Sequence, residues 1–237
     1  MNALEVKDID TYYGPSHILH GVSLAVAENQ VVSLLGRNGA GKTTLIRSVM
    51  GLTPPRSGEI LFRGEVISGL RPHQIFMKGI KIIPQGRGVF PTLSVEENLR
   101  LAMAKAGVDD PRAELQKVYG LFPILGERRK QKAQFLSGGQ LQMLAISRVF
   151  LGRTQLILMD EPTEGLAPII VEQIGSVIME LKGKKVPLVL AEQNLKLALA
   201  VGDWHYIIDN GIIEYQGDSE SIRDNEEVKR TYLGVGA

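Results

Sequence analysis

The sequence predicts an α/β fold built on a mostly parallel sheet. Three observations carry that prediction. Residues 31–35, 156–159 and 186–191 are short, continuous apolar runs, the composition of strands buried on both faces. Each run is followed, directly or after a glycine-rich turn, by a stretch with helical periodicity. Strands that alternate with helices need crossovers, and crossovers bring successive strands parallel.

Bulk properties narrow the class. A chain of 237 residues can bury one large core, so one domain over 1–237 is expected. With 44% hydrophobic and 22% charged residues the mix is that of a soluble globular protein. A net charge of +1 supplies no field for nucleic acid, so none is expected as a partner. The absence of cysteine excludes disulfides and thiolate metal sites. No stretch approaches the roughly 20 apolar residues of a membrane-spanning helix. Residues 1–10 lack the apolar run of a signal peptide. The chain is therefore expected to be neither exported nor inserted, and to serve any membrane from the cytosolic side through another protein.

The elements follow in order. In residues 4–9, Leu4, Val6 and Ile9 alternate with polar neighbours as an edge strand would. Residues 22–27 form a similar short run. The buried run 31–35 enters a group of glycines, and a helix is expected over 43–50. Residues 60–62 read as a strand set off by Ser57-Gly58 and Arg63-Gly64, and 80–83 as one stopped by Pro84. Residues 95–106 and 112–121 then read as amphipathic helices with a break at 107–111. Ser137 is a good N-cap for a helix running to residue 150. This helical block, about 88–150, looks inserted in the α/β chain. Residues 206–216 have the pattern of a hairpin turned at Asn210-Gly211.

Gly36-Arg37-Asn38-Gly39-Ala40-Gly41-Lys42-Thr43 fits G-x-x-x-x-G-K-[ST]. Its context matters more than the pattern: a buried strand enters it and a helix leaves it. Glycines let backbone N–H groups turn inward around phosphates without a Cβ clash. The helix N-terminus, from Thr43 and Thr44 onward, adds partial positive charge. Lys42 supplies a point charge to the outer phosphates, and the Thr43 hydroxyl can ligate Mg²⁺. The competing reading, a dinucleotide fold, needs G-x-G-x-x-G, and the third glycine is missing.

The run 156–159 ends in Asp160-Glu161. In a parallel sheet, ligands gather beyond the strand C-termini. Asp160 is then placed to hold Mg²⁺ through its water shell, and Glu161 to orient and deprotonate an attacking water. An acidic pair that merely marks a strand exit before Pro162 is the bland alternative; the phosphate loop upstream argues against it.

With these residues in view, the sequence resembles an ATPase of the ABC transporter family. Leu136-Ser137-Gly138-Gly139-Gln140 resembles the family's signature motif, a helix N-terminus able to present donors to an anion. The resemblance implies a P-loop NTPase core with a mostly parallel sheet, an antiparallel β subdomain and an inserted helical subdomain. It implies that the signature contacts the γ-phosphate bound by a partner subunit. It also implies that Tyr13, with Tyr12 as the fallback, stacks on adenine, and that Gln85 touches both Mg²⁺ and the attacking water. Gln85 also lies on a loop that would move with the membrane subunit. The implied substrate is ATP with Mg²⁺, and the catalytic set is Glu161, Lys42, Gln85 and Gln193.

Two departures stand out. Leu190-Ala191-Glu192-Gln193-Asn194 puts Gln193 where the family usually has a switch histidine. Glutamine can hydrogen-bond a γ-phosphate but cannot carry a proton. After Pro162-Thr163, Ala167 replaces the usual aspartate of the dimer-contact loop. The same segments, with Thr163-Glu164-Gly165-Leu166-Ala167-Pro168 and the ending Thr231-Tyr232-Leu233-Gly234, resemble ATPases of branched-chain amino acid importers and their urea and amide relatives. That branch implies a second ATPase subunit, as a heterodimer or alternatively a homodimer, with two membrane permeases and, indirectly, a periplasmic solute-binding protein. It implies peripheral attachment at the cytoplasmic face of the inner membrane.

A soluble ABC ATPase of DNA repair or translation is a rival. Its long coiled-coil insertion or second cassette has no counterpart here. A binding subunit with degenerate hydrolysis is a second rival, motivated by Gln193 and Ala167 and opposed by Glu161. His17, His20, His73 and His205 lack metal-ligand spacing and read as ordinary surface or core residues. Arg128, Arg129, Lys130 and Lys132 read as a solvated face, the methionines as core filler, and Trp204 belongs to no motif.

Overall fold

A computed structural model describes residues 1–106 and 108–233. Of the residues discussed above, Gly107 in the helix break and Gly234 in the C-terminal ending lie outside the described residues. The chain runs β1 (Asn2–Tyr13), β2 (Ser16–Ala27), β3 (Val31–Leu35), α1 (Lys42–Val49), β4 (Ser57–Phe62), β5 (Glu65–Val66), α2 (Pro72–Met77) and β6 (Ile80–Ile83). The helical block follows as α3 (Val95–Ala106), α4 (Pro111–Leu121), α5 (Pro123–Glu127) and α6 (Gly138–Ser147). Then come β7 (Leu156–Asp160), α7 (Pro168–Gly183), β8 (Leu188–Glu192), α8 (Leu195–Val201), β9 (Trp204–Asp209), β10 (Ile212–Gly217), α9 (Ser219–Asp224) and α10 (Glu226–Val228).

Two sheets form. A six-stranded sheet has the order β10-β9-β3-β8-β7-β6, parallel except for the β9–β10 hairpin. Along its central strands successive side chains serve two cores. Ile157 and Met159 pack with the helical block and α7, while Leu156 and Leu158 pack with α1 and the second sheet. Both faces are covered, so the strands read as unbroken apolar runs. The second sheet is antiparallel, in the order β2-β1-β4-β5.

Residues 4–9 are not an edge: β1 lies between β2 and β4. Alternation reports that one face meets water, whereas edge position depends on in-plane pairing, which side-chain pattern does not encode. The helix from Ser137 is α-helical to Ser147 and closes in a 3₁₀ turn at Arg148–Phe150. Strand β5 and helices α2 and α5 carry no strong periodic signal because they are short. Three methionines are not core filler: Met1 is 99%, Met77 74% and Met179 47% exposed. Among the basic run, Arg129, Lys130 and Lys132 are exposed and Arg128 is half-buried. Trp204 is half-buried against the core that includes α1.

Between β6 and α3, buried Asn98 holds the loop after Pro84. It accepts from the Phe90 N–H at 2.8 Å and donates to the carbonyls of Phe90 and Ser94, each at 3.0 Å. This fixes where the segment carrying Gln85 rejoins the fold. Among the described residues, no helix is long and apolar enough to cross a membrane.

Candidate functional site

Strand β3 delivers the phosphate-loop candidates to the C-terminal edge of the parallel sheet. The glycines answer to different constraints. A Cβ on Gly36 would stand 2.4 Å from the Ile208 carbonyl oxygen of β9. Gly41, the N-cap of α1, has φ 115°, a backbone region that L side chains rarely adopt. Gly39 also has positive φ, 82°, but with open space around it. The loop is tied from behind: the Gly211 N–H donates to the Ala40 carbonyl, and the His20 N–H to the Gly211 carbonyl, both at 2.9 Å. The Asn210-Gly211 hairpin therefore links the loop to β2. Its sequence signal predicted only a hairpin.

Lys42 is 3% exposed, a low value for an ammonium. Its Nζ donates to the carbonyls of Gly36 and Arg37 at 2.8 and 2.9 Å, and pairs with Glu161 Oε1 at 2.9 Å. The Thr43 hydroxyl donates to Asp160 Oδ1 at 3.0 Å. From the loop after β6, Gln85 Nε2 donates to Glu161 Oε2 at 3.1 Å and Glu164 Oε2 at 2.9 Å. Five candidates thus meet as two sets, Thr43 with Asp160 and Lys42 with Glu161 and Gln85, set side by side because 42 and 43, and 160 and 161, are chain neighbours. Glu161 has φ 47°, and its N–H donates to the Ala191 carbonyl at 2.9 Å. This left-handed turn at the end of β7 costs about 1 kcal/mol for a non-glycine residue. It accompanies the divergence of the two adjacent carboxylates, Asp160 toward Thr43 and Glu161 toward Lys42.

Burial, with the charge of Glu161 nearby, pushes the Asp160 carboxyl up to about 6, against the opposing pull of Thr43 and Lys42. A carboxylate that is short of compensation, beside the Thr43 hydroxyl, offers oxygen donors suited to a small hard cation. Among the described residues no three His, Cys, Asp or Glu side chains could hold a metal ion together. An ion here would complete its shell with water and phosphate oxygens, which is the habit of Mg²⁺. Gly39, Gly41, Lys42, Thr43, Thr44 and Glu161 line a cavity of about 130 Å³. That is well below the roughly 300 Å³ of a pocket that engulfs a whole ligand. It suits phosphates, with base and sugar lying outside.

The remaining candidates lie apart from this group. Tyr13 ends β1 with 43% exposure. Tyr12, by contrast, is engaged: His17 stacks on it at 4.1 Å, and the Arg56 guanidinium lies 4.1 Å from its ring centre. Arg37 and Asn38 are exposed. At the signature, Leu136 is buried and Ser137 caps α6, its hydroxyl accepting from the Gln140 N–H at 3.3 Å while the Gln140 side chain accepts from the Ser137 N–H at 3.0 Å. Gly139 abuts Ile170, where a Cβ would come within 2.9 Å. Among the described residues no hydrogen bond or ion pair joins the signature to the phosphate loop. Gln193 is exposed, and its side chain makes no hydrogen bond to Gln85, Asp160 or Glu161.

Three residues near the site were not singled out by motif reading. Glu164 shares Gln85 with Glu161. Arg87, with φ 63°, brings its guanidinium to 3.5 Å from where a Gly138 Cβ would stand. Glu192 is buried and accepts four hydrogen bonds. None has a spacing signal, because each acts across the fold.

Comparison with known proteins gives the context. A family model described as "ABC transporter" matches residues 19–164. The chain is 41% identical to the high-affinity branched-chain amino acid transport ATP-binding protein BraG of Pseudomonas aeruginosa, over 98% of this chain and 99% of that protein. It is 34% identical to the lipopolysaccharide export system ATP-binding protein LptB of Haemophilus influenzae, over 99% and 98% respectively. A solved nucleotide-free ATP-binding cassette from an ABC transporter superposes with a TM-score of 0.84 at 26% identity, with both chains fully covered.

Proposed function

This chain belongs to the ABC transporter family, and from that premise we propose that it powers an importer of branched-chain amino acids as one of its ATP-hydrolysing subunits. The observation that carries the reading is the convergence of buried Lys42, Asp160 and Glu161 with half-buried Thr43 and exposed Gln85 at the C-terminal edge of the parallel sheet. The end-to-end likeness to BraG supports the choice of solute class.

The backbone of Gly36, Arg37, Asn38, Gly39, Ala40, Gly41, Lys42, Thr43 and Thr44 wraps the phosphates, with donors concentrated where α1 begins. Lys42 exchanges its Glu161 partner for phosphate oxygens. Thr43, Asp160 and Gln85 would hold Mg²⁺, which would neutralise phosphate charge. Glu161, once released by Lys42, orients the attacking water and takes its proton. Gln193 donates to the γ-phosphate and carries no proton. Tyr13 stacks on the adenine.

Ser137, Gly138, Gly139 and Gln140, with Leu136 anchoring them, serve the nucleotide of a second ATPase subunit. Nucleotide thereby holds two subunits together, and hydrolysis releases them. The chain then works at the cytoplasmic face of the membrane against two permeases, with a periplasmic binding protein delivering solute. The likeness to LptB keeps lipopolysaccharide export as a second reading.

Deleting the gene and following uptake of labelled leucine, valine and urea tests this directly. Loss of leucine and valine uptake, restored by the wild-type chain and not by Glu161→Gln, is the expected result. Intact leucine uptake with loss of urea uptake or of lipopolysaccharide export would move the chain to a sibling transporter.

A further inference from the structure

Strand β8 ends on Glu192, which is 3% exposed and has no ion-pair partner among the described residues. Its hydrogen bonds all come from neutral donors on two different loops. Oε1 accepts from the Thr163 N–H at 3.1 Å and the Thr163 hydroxyl at 2.6 Å. Oε2 accepts from the N–H groups of Gln193 and Asn194, each at 3.1 Å. Burial raises the Glu192 carboxyl above the usual carboxylate range, while these four donors favour its charged form.

The chemistry of the contact is specific. Every partner is a donor, so both oxygens must accept, which only a carboxylate does at this length. An amide of the same shape would present its NH₂ to one of the two loops and lose it. Thr163 lies between Glu161 and Glu164, and Glu164 holds Gln85 at 2.9 Å. A path of contacts and chain neighbours thus runs from Gln193 through Glu192, Thr163, Glu164 and Gln85 to Glu161 and Lys42. Since Gln193 cannot carry a proton, its loop can contribute only hydrogen bonding and placement.

We propose that Glu192 is a positioning residue for ATP hydrolysis, one carboxylate that locks the Gln193 loop to the loop following Glu161. It acts through its neighbours and does not touch the nucleotide. The inference rests on the hydrolytic reading given above.

The test compares the wild-type chain, Glu192→Gln, Thr163→Val and the double variant, each reconstituted with the membrane subunits. The readouts are kcat and KM for ATP hydrolysis, and the affinity for a fluorescent ATP analogue. Glu192→Gln should lower kcat about tenfold or more, with KM and nucleotide affinity within about threefold of wild type. The double variant should be no slower than Glu192→Gln alone, because both changes break one linkage. Thr163→Val keeps its backbone bond to Glu192; it should lower kcat about threefold or more and carries the test should Glu192→Gln fail to fold. Wild-type kcat in the variants overturns the proposal, as does a fall in kcat accompanied by an equal loss of nucleotide affinity. Wild-type turnover abolished by Glu161→Gln secures the hydrolytic reading separately. A wild-type complex that does not hydrolyse ATP overturns both.

Discussion

Lys42 and Glu161 form a buried ion pair, Nζ to Oε1 at 2.9 Å, at the mouth of the phosphate loop. Phosphate must compete with this carboxylate for the ammonium. Glu161→Gln removes the competing charge and the base together. ATP affinity should rise, while turnover should fall by about 10²–10⁴. Equilibrium binding of a fluorescent ATP analogue and phosphate release check the two halves. Turnover within threefold of wild type would remove Glu161 from water activation.

Gly211 and Gly39 share positive φ, 77° and 82°, but not surroundings. A Cβ on Gly211 would stand 1.8 Å from the Ile18 carbonyl oxygen, whereas nothing lies within 4 Å of one on Gly39. Gly39→Ala should therefore cost about 1 kcal/mol from backbone conformation alone. Gly211→Ala should cost more than about 2 kcal/mol, because it also forces apart the turn that braces the phosphate loop. Denaturant unfolding of the two variants measures the difference; equal losses would mean that the turn accommodates the methyl.

Tyr13 and Tyr12 are neighbours with opposite expected phenotypes. Tyr13 is open to a nucleobase, so Tyr13→Ala should raise the KM for ATP about fivefold or more at little cost in stability. Tyr12 is occupied by His17 and Arg56, so Tyr12→Ala should lower the melting temperature and leave KM nearly unchanged. Exchange of the two phenotypes would assign the base contact to Tyr12.

His205 is fully buried and its Nε2 lies 2.8 Å from the Ser219 hydroxyl, which donates onward to the Leu199 carbonyl. Burial lowers its pKa from 6.5 to about 4, despite Asp203 and Asp218 nearby. The unfolded chain therefore takes up this proton first. The contribution is intact above about pH 6.5, declines as pH falls toward 4, and is constant below that. The loss is at most about 3 kcal/mol, since each pH unit is worth about 1.4 kcal/mol. Unfolding free energies from pH 7 to 4 should fall more steeply for wild type than for His205→Gln. Parallel curves would show that His205 takes up its proton as readily in the folded chain as in the unfolded one.

What could be read in advance follows from range of interaction. The motif around Lys42, the acids at the end of β7 and the cap at Ser137 are local: each needs a turn, a strand end or a helix start, and those are encoded within a few residues. The buried strands β3, β7 and β8 announced themselves because burial on both faces removes alternation. Strand β1 reads as an edge strand although it is central, because in-plane pairing leaves no trace in side-chain pattern.

By itself, then, the sequence determined the parallel α/β core, the phosphate-loop candidates and the identities of the acidic residues, because all of these are properties of contiguous chain. Only the tertiary structure decided that Lys42 faces Glu161, that Gln85 is divided between Glu161 and Glu164, that Gly211 braces Ala40, and that Glu192 joins two loops. Those contacts join residues brought together by sheet order, and sheet order is fixed by the packing of both faces at once rather than by any local run of residues.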